Sequence, residues 1–133
     1  MKVLLVIAAI CGFTAVLIGA MGAHALAPYM SEKGLSFFNR ASLYHHILSL
    51  ALLGCALLWP TVQKNAKNPA KALRFLKISA ALFVSGILLF SGLLYLLAIL
   101  PAFPFHFLIP LGGLSAMSGW LMLIIVALSL KTE

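Results

Sequence analysis

The sequence predicts an all-α fold, an integral membrane four-helix bundle with both termini on the cytoplasmic side (N-in/C-in). Three observations predict it. Of the 133 residues, 64% are hydrophobic and only 8% are charged, against roughly 25% charged in a soluble domain. The apolar residues gather in four runs, 3–23, 42–59, 78–100 and 107–130, each close to the ~20 residues a helix needs to cross a bilayer. The Lys and Arg residues also divide unevenly. Lys64, Lys67, Lys71, Arg74 and Lys77 lie between the second and third runs, and Lys2 and Lys131 lie near the termini. The first connection holds only Lys33 and Arg40, and the third holds none. The basic side is therefore cytoplasmic by the positive-inside rule. Because the spans use nearly the whole chain, residues 1–133 form one transmembrane domain with no soluble one.

The first run follows Met1-Lys2, and Ala23-His24-Ala25 resembles a small-residue cleavage site. It exceeds the 7–15 residues of a signal-peptide core, so it reads as a retained span. Within it Ala8, Gly12, Ala15, Gly19 and Gly22 or Ala23 recur at steps of four and three, which places them on one face where another backbone can approach closely. After Pro28, Ser31 is an N-cap for a segment containing Leu35, Phe37, Phe38 and Ala41. That segment either lies along the outer surface or leads directly into the second span.

Asn68-Pro69 reads as N-cap and first helical residue. No proline follows until Pro101, so a helix of about 48 Å is expected, longer than the ~30 Å hydrocarbon core. Its excess carries Lys71, Arg74 and Lys77 past the bilayer. The stretch PAFPFHF, residues 101–107, is a short hairpin. Pro110 then opens a fourth, continuous helix, a position where proline is well tolerated. The alternative is a broken helix exposing Gly112-Gly113 to a cavity, as in transporters. Gly112, Ser115 or Ala116, and Gly119 form a second small-residue seam, expected to be the counterpart of the first. There is no internal repeat.

Four motifs, GAMGAHAL (19–26), LYHHILSLALL (43–53), FSGLLYLLA (90–98) and IPLGGLSAMSGW (109–120), resemble in that order the small bacterial inner-membrane family known as domain of unknown function 423. The family is also called uncharacterised protein family 0382 and has a eukaryotic transmembrane branch. The resemblance implies a four-span protein of the bacterial inner membrane and carries over no catalytic residue. One motif departs from the family's pattern of Tyr-Gln, two residues, then His. Here His45 follows Tyr44, and Leu48 stands in place of the histidine. A role resting on that histidine would here fall to His45 or His46.

The predicted topology brings most hydrogen-bonding side chains to the outer end. His24 closes the first span, Tyr44, His45 and His46 begin the second, Ser91 and Tyr95 lie in the outer half of the third, and His106 lies in the hairpin. They are candidates for an outer-facing ligand or proton pocket, or for a network that ties helix ends together. His24 and Tyr95 are expected within hydrogen-bonding or single-water reach of the second or fourth span, and His106 is expected to be more exposed.

No metal site is expected, because adjacent His45 and His46 point about 100° apart on a helix and Glu32 alone lies near them. No cofactor is expected either. The absence of any carboxylate from the four runs argues against an enzyme, since Ser91 or Ser115 with a histidine would lack the acid that orients the base. Cys11 and Cys55 read as small hydrophobes, Trp59 as an interfacial anchor and Trp120 as packing. Lys64, Lys67, Lys71, Arg74 and Lys77 suit anionic lipid headgroups, and nucleic acid is not expected as a partner. Two functional classes follow. One is an accessory or structural protein that binds membrane lipids, a partner membrane protein or a second copy of itself. The other is a small oligomeric transporter or channel with an outer His/Tyr pocket.

Overall fold

The computed structural model of the chain describes residues 1–131, so Glu133, expected to lie outside the membrane, is not among them. Four helical rods run the length of the molecule, each long and apolar enough to cross a membrane. The first is α1 (Lys2–Met21), extended by a π-helical turn at Gly22–Leu26 and a 3-10 turn at Ala27–Tyr29. The second is α2 (Glu32–Asn65), one unbroken helix of 34 residues, about 51 Å long. Ser31 caps it, its hydroxyl accepting the Gly34 N–H at 3.1 Å. The segment after Pro28 thus leads straight into the second span.

The third rod is continuous over Pro69–Ile99, consisting of α3 (Pro69–Gly86), a π-helical segment at Ile87–Gly92 and α4 (Leu93–Ile99). Asn68 caps it as expected, accepting the Lys71 N–H at 3.1 Å. Nothing in the sequence pattern announces the wider π turns. After a 3-10 turn at Pro104–Leu108, α5 (Ile109–Leu128) runs without a break. Pro110 sits in its first turn, where a missing N–H costs nothing.

The rods are not symmetrically arranged. α2 and the third rod form the central pair, α1 packs along α2, and α5 packs along the third rod. The core follows that pairing, with Leu48, Leu52, Cys55 and Val62 of α2 meeting Leu76 and Phe83 of α3 and Val126 of α5. α1 contributes little beyond Ala8 and Ala15, its buried residues. This corrects the expectation that the two small-residue seams face each other. A Cβ on Gly22 would lie 2.0 Å from the Phe38 ring, and one on Gly19 3.3 Å from the Ser42 hydroxyl, so that seam packs on α2. On Gly112 it would lie 2.4 Å from the Phe90 backbone nitrogen, and on Gly119 2.7 Å from the Phe83 ring, so the second seam packs on the third rod.

Gly12 is corrected as well. No atom lies within 4 Å of where its Cβ would be, so it makes no close helix contact. Two glycines that were not expected to pack do so. Gly34 meets the Ala98 carbonyl, and Gly86 meets Ala116 and Leu48.

The connection between α2 and α3 is tied to the residues that follow α5. Lys67 N–H donates to the Ser129 carbonyl and Lys131 N–H to the Asn65 carbonyl, both at 2.9 Å. This antiparallel bridge holds the basic connection against the end of α5.

Candidate functional site

The polar side chains inside the rods form a chain centred on His45, which is 5% exposed between α1, α2 and α4. Its ring nitrogens face two partners, Tyr95 OH at 3.4 Å from Nδ1 and Thr14 Oγ1 at 3.5 Å from Nε2. Both are at the long end of hydrogen bonding.

The proton directions follow from Thr14. Its hydroxyl donates back along α1 to the Ile10 and Cys11 carbonyls at 2.9 and 3.0 Å, a habit of hydroxyl residues within helices. Thr14 therefore receives the Nε2–H of His45, and Nδ1 accepts from Tyr95. The chain of donors runs from Tyr95 through His45 to Thr14 and ends on α1 backbone, joining three rods. Tyr95 also packs its ring on Phe38, with centroids 4.9 Å apart, beside the contact that fixes Gly22.

The other candidates do not join this chain. His46 turns away from His45, its Nδ1–H donating to the Ser42 carbonyl at 2.8 Å. Tyr44 is exposed and lays its ring edge-on to Phe90, with centroids 4.9 Å apart. His106 is exposed in the hairpin with its Nδ1 3.2 Å from the Phe103 carbonyl. His24 is exposed in the π turn after α1 and takes part in none of these hydrogen bonds. Among the described residues it makes no direct side-chain hydrogen bond to the second or fourth span. The extra residue per π turn carries the chain around the helix axis, and Gly22, not His24, faces Phe38.

Ser91 is wholly buried, and its hydroxyl has no partner among the described residues. In α2, Ser49 donates to the carbonyl four residues back, His45 O, at 2.7 Å. Ser91, by contrast, lies in the π-helical segment.

Thr14 escaped the sequence reading although it is the sole hydroxyl residue of the first run. Ser79 escaped too. Its hydroxyl donates across to the Gly119 carbonyl at 2.8 Å, and Ser115 returns the tie to the Leu82 carbonyl at 2.9 Å. These bonds lock α3 to α5. Cys11 and Cys55 are free.

At the other end of the molecule lie the five basic residues. Lys64, Lys67, Lys71, Arg74 and Lys77 are all exposed. Lys71 stands 5.8 Å from the Phe75 ring centroid and Lys77 5.4 Å from that of Trp59. Lys77 also lines an apolar groove of about 300 Å³ between α1 and α3, with Leu4, Ile7, Ala80 and Val84. Among the described residues, no group of three or more His, Cys, Asp or Glu side chains is placed to hold a metal ion.

Comparison with known proteins adds a family. The model of a family described as "Protein of unknown function (DUF423)" matches residues 18–113. The chain is 32% identical over 132 residues to the UPF0382 inner membrane protein YgdD of Escherichia coli K12, covering 99% of this chain and 94% of YgdD. It is 35% identical over 125 residues to the UPF0382 membrane protein SH2409 of Staphylococcus haemolyticus, covering 94% of each. A UPF0382 membrane protein of Staphylococcus epidermidis is 35% identical over 128 residues, covering 96% of this chain and 97% of that protein. No solved structure matches.

Proposed function

The chain belongs to the DUF423 family, and on that premise we propose that it is an accessory protein of the bacterial inner membrane that binds anionic phospholipid at its basic end. It is not an enzyme in this reading. Its termini and basic connection face the cytoplasm, where the anionic leaflet attracts Lys and Arg by about 1 kcal/mol each.

One observation carries the proposal. Lys77, 5.4 Å from the Trp59 ring centroid, lines the groove between α1 and α3 together with that Trp. An ammonium above an apolar channel matches a phosphate above an acyl chain, and Trp suits that depth. Lys71 and Arg74, on the same projecting turns of α3, add charge on which a headgroup can settle. The runs carry no carboxylate to oppose it.

The test is native mass spectrometry of the protein released from nanodiscs of mixed phosphatidylglycerol and phosphatidylcholine. The wild type is expected to retain phosphatidylglycerol preferentially. Lys77→Gln should weaken that retention by about fivefold, the equivalent of about 1 kcal/mol. Equal retention of the two lipids by the wild type would overturn the reading.

Orientation has its own measurement. Cysteines introduced at Lys67 and Phe103, in a background lacking Cys11 and Cys55, are expected to react with an impermeant maleimide from opposite faces. Position 103 should label in intact cells and position 67 only after permeabilisation. Labelling of both in intact cells would refute N-in/C-in.

A further inference from the structure

We propose that the lateral groove between α1 and α2 binds an uncharged, single-chain amphiphile whose polar end is a hydroxyl, held by Nε2 of His46. This site is separate from the basic end and does not depend on the reading given for it.

The groove has a volume of about 360 Å³. Gly12, Phe13 and Val16 of α1 wall it on one side, and His46, Leu50 and Leu53 of α2 on the other. Phe13, Val16 and Leu50 are 67%, 62% and 67% exposed, so its lips face the bilayer chains and a ligand enters from the membrane. The helices run antiparallel, Gly22 against Phe38 and Gly19 beside His46. That register puts His46 at one end of the groove, Ser49 part-way along it, and Ala8 and Leu53 at the other end. A cleft polar at one end and apolar along its length is shaped for an amphiphile.

The hydrogen-bond directions select the head. Nδ1–H of His46 is spent on the Ser42 carbonyl, so in the neutral ring Nε2 carries a lone pair and has no hydrogen-bond partner among the described residues. The Ser49 hydroxyl proton is spent on the His45 carbonyl. The groove thus offers acceptors and no free donor. A phosphate or carboxylate would find nothing to bind, and an alkane would leave Nε2 unpaired in hydrocarbon, which is costly. A hydroxyl supplies the missing donor.

The depth agrees. His46 lies about 6 Å inside the apolar run that begins at residue 42, near the boundary where a lipid's polar end meets its chain. Gly12 completes the site, since the space where its Cβ would stand is empty. Its missing side chain leaves room for the chain of a ligand.

The test uses the full-length protein in phosphatidylcholine nanodiscs with a photoreactive hexadecanol that carries a diazirine on its chain. Crosslinks are expected at Phe13, Val16 and Leu50. Unlabelled hexadecanol should compete about tenfold better than ionised hexadecanoate or hexadecane, a difference of about 1.4 kcal/mol. Gly12→Leu, which fills open space, and His46→Phe, which keeps the ring but removes the acceptor, should each lower labelling about fivefold. Gly12→Leu is expected to keep the wild-type unfolding midpoint, so the test stands even if His46→Phe destabilises the fold. Labelling spread evenly over all four rods, equal competition by hexadecanoate, or unchanged labelling in Gly12→Leu would overturn the proposal. So would photocrosslinks joining two chains through the groove, which would identify the occupant as a second copy.

Discussion

Replacing Gly112 by alanine is expected to lower stability by about 3 kcal/mol, the upper part of the range for overpacking. The new methyl would stand 2.4 Å from the Phe90 nitrogen and 2.6 Å from the Leu89 carbonyl carbon. These are backbone atoms of the π-helical segment and cannot rotate aside as a side chain can. α5 would have to back away from the third rod, stretching the Ser79 to Gly119 and Ser115 to Leu82 hydrogen bonds that lie beside it. Gly12→Ala is the matched control, because its methyl enters open space. It should change stability by no more than about 0.5 kcal/mol. Reversible unfolding in mixed micelles, followed by circular dichroism, measures both. A loss at Gly112 no larger than that at Gly12 would mean that α5 does not depend on close contact with the π segment.

The second large effect is expected at His45. Its ring is 5% exposed, so His45→Ala removes a well-packed side chain and leaves a cavity. The same change strands the Tyr95 hydroxyl without an acceptor. A loss of about 2–4 kcal/mol is expected from the two terms together. Tyr95→Phe should cost far less, about 0.6 kcal/mol, because it removes one long intramembrane hydrogen bond and keeps the aromatic contact with Phe38. A double-mutant cycle separates the cases. If His45→Ala costs no more than Tyr95→Phe, the chain from Tyr95 to Thr14 does not hold the three rods together.

The sequence made the rods legible because each is an uninterrupted apolar run, and their starts were legible because Ser31, Asn68 and Pro110 have one good place in a helix. Neighbour relations were not. Small-residue spacing specifies a face of a helix and not what that face meets. Gly12 and Gly22 lie on one stripe, yet Gly22 touches Phe38 and Gly12 borders a groove. The π turns were illegible for a related reason, since no side chain demands them and the packing of α5 on residues 87–92 accompanies one of them. Ser91 lies in that segment with its hydroxyl unpartnered among the described residues, a feature no spacing rule carries. Of the outer polar cluster, the meeting of His45 and Tyr95 could be anticipated from topology. The exposure of His24 could not, because it depends on the π turn after α1.

The backbone bridge between residues 65–67 and 129–131 also dictates an order in time. Its two halves lie half the chain apart, so it can close only after the last helix has been synthesised and inserted. Until then the connection carrying Lys67 lacks this tie, while α1 and α2 can already pair through contacts close in sequence. Closure of the bridge marks a finished insertion. A chain arrested after its third helix would still display an untethered cationic loop, a difference that protease accessibility of nascent chains of stepped length would register.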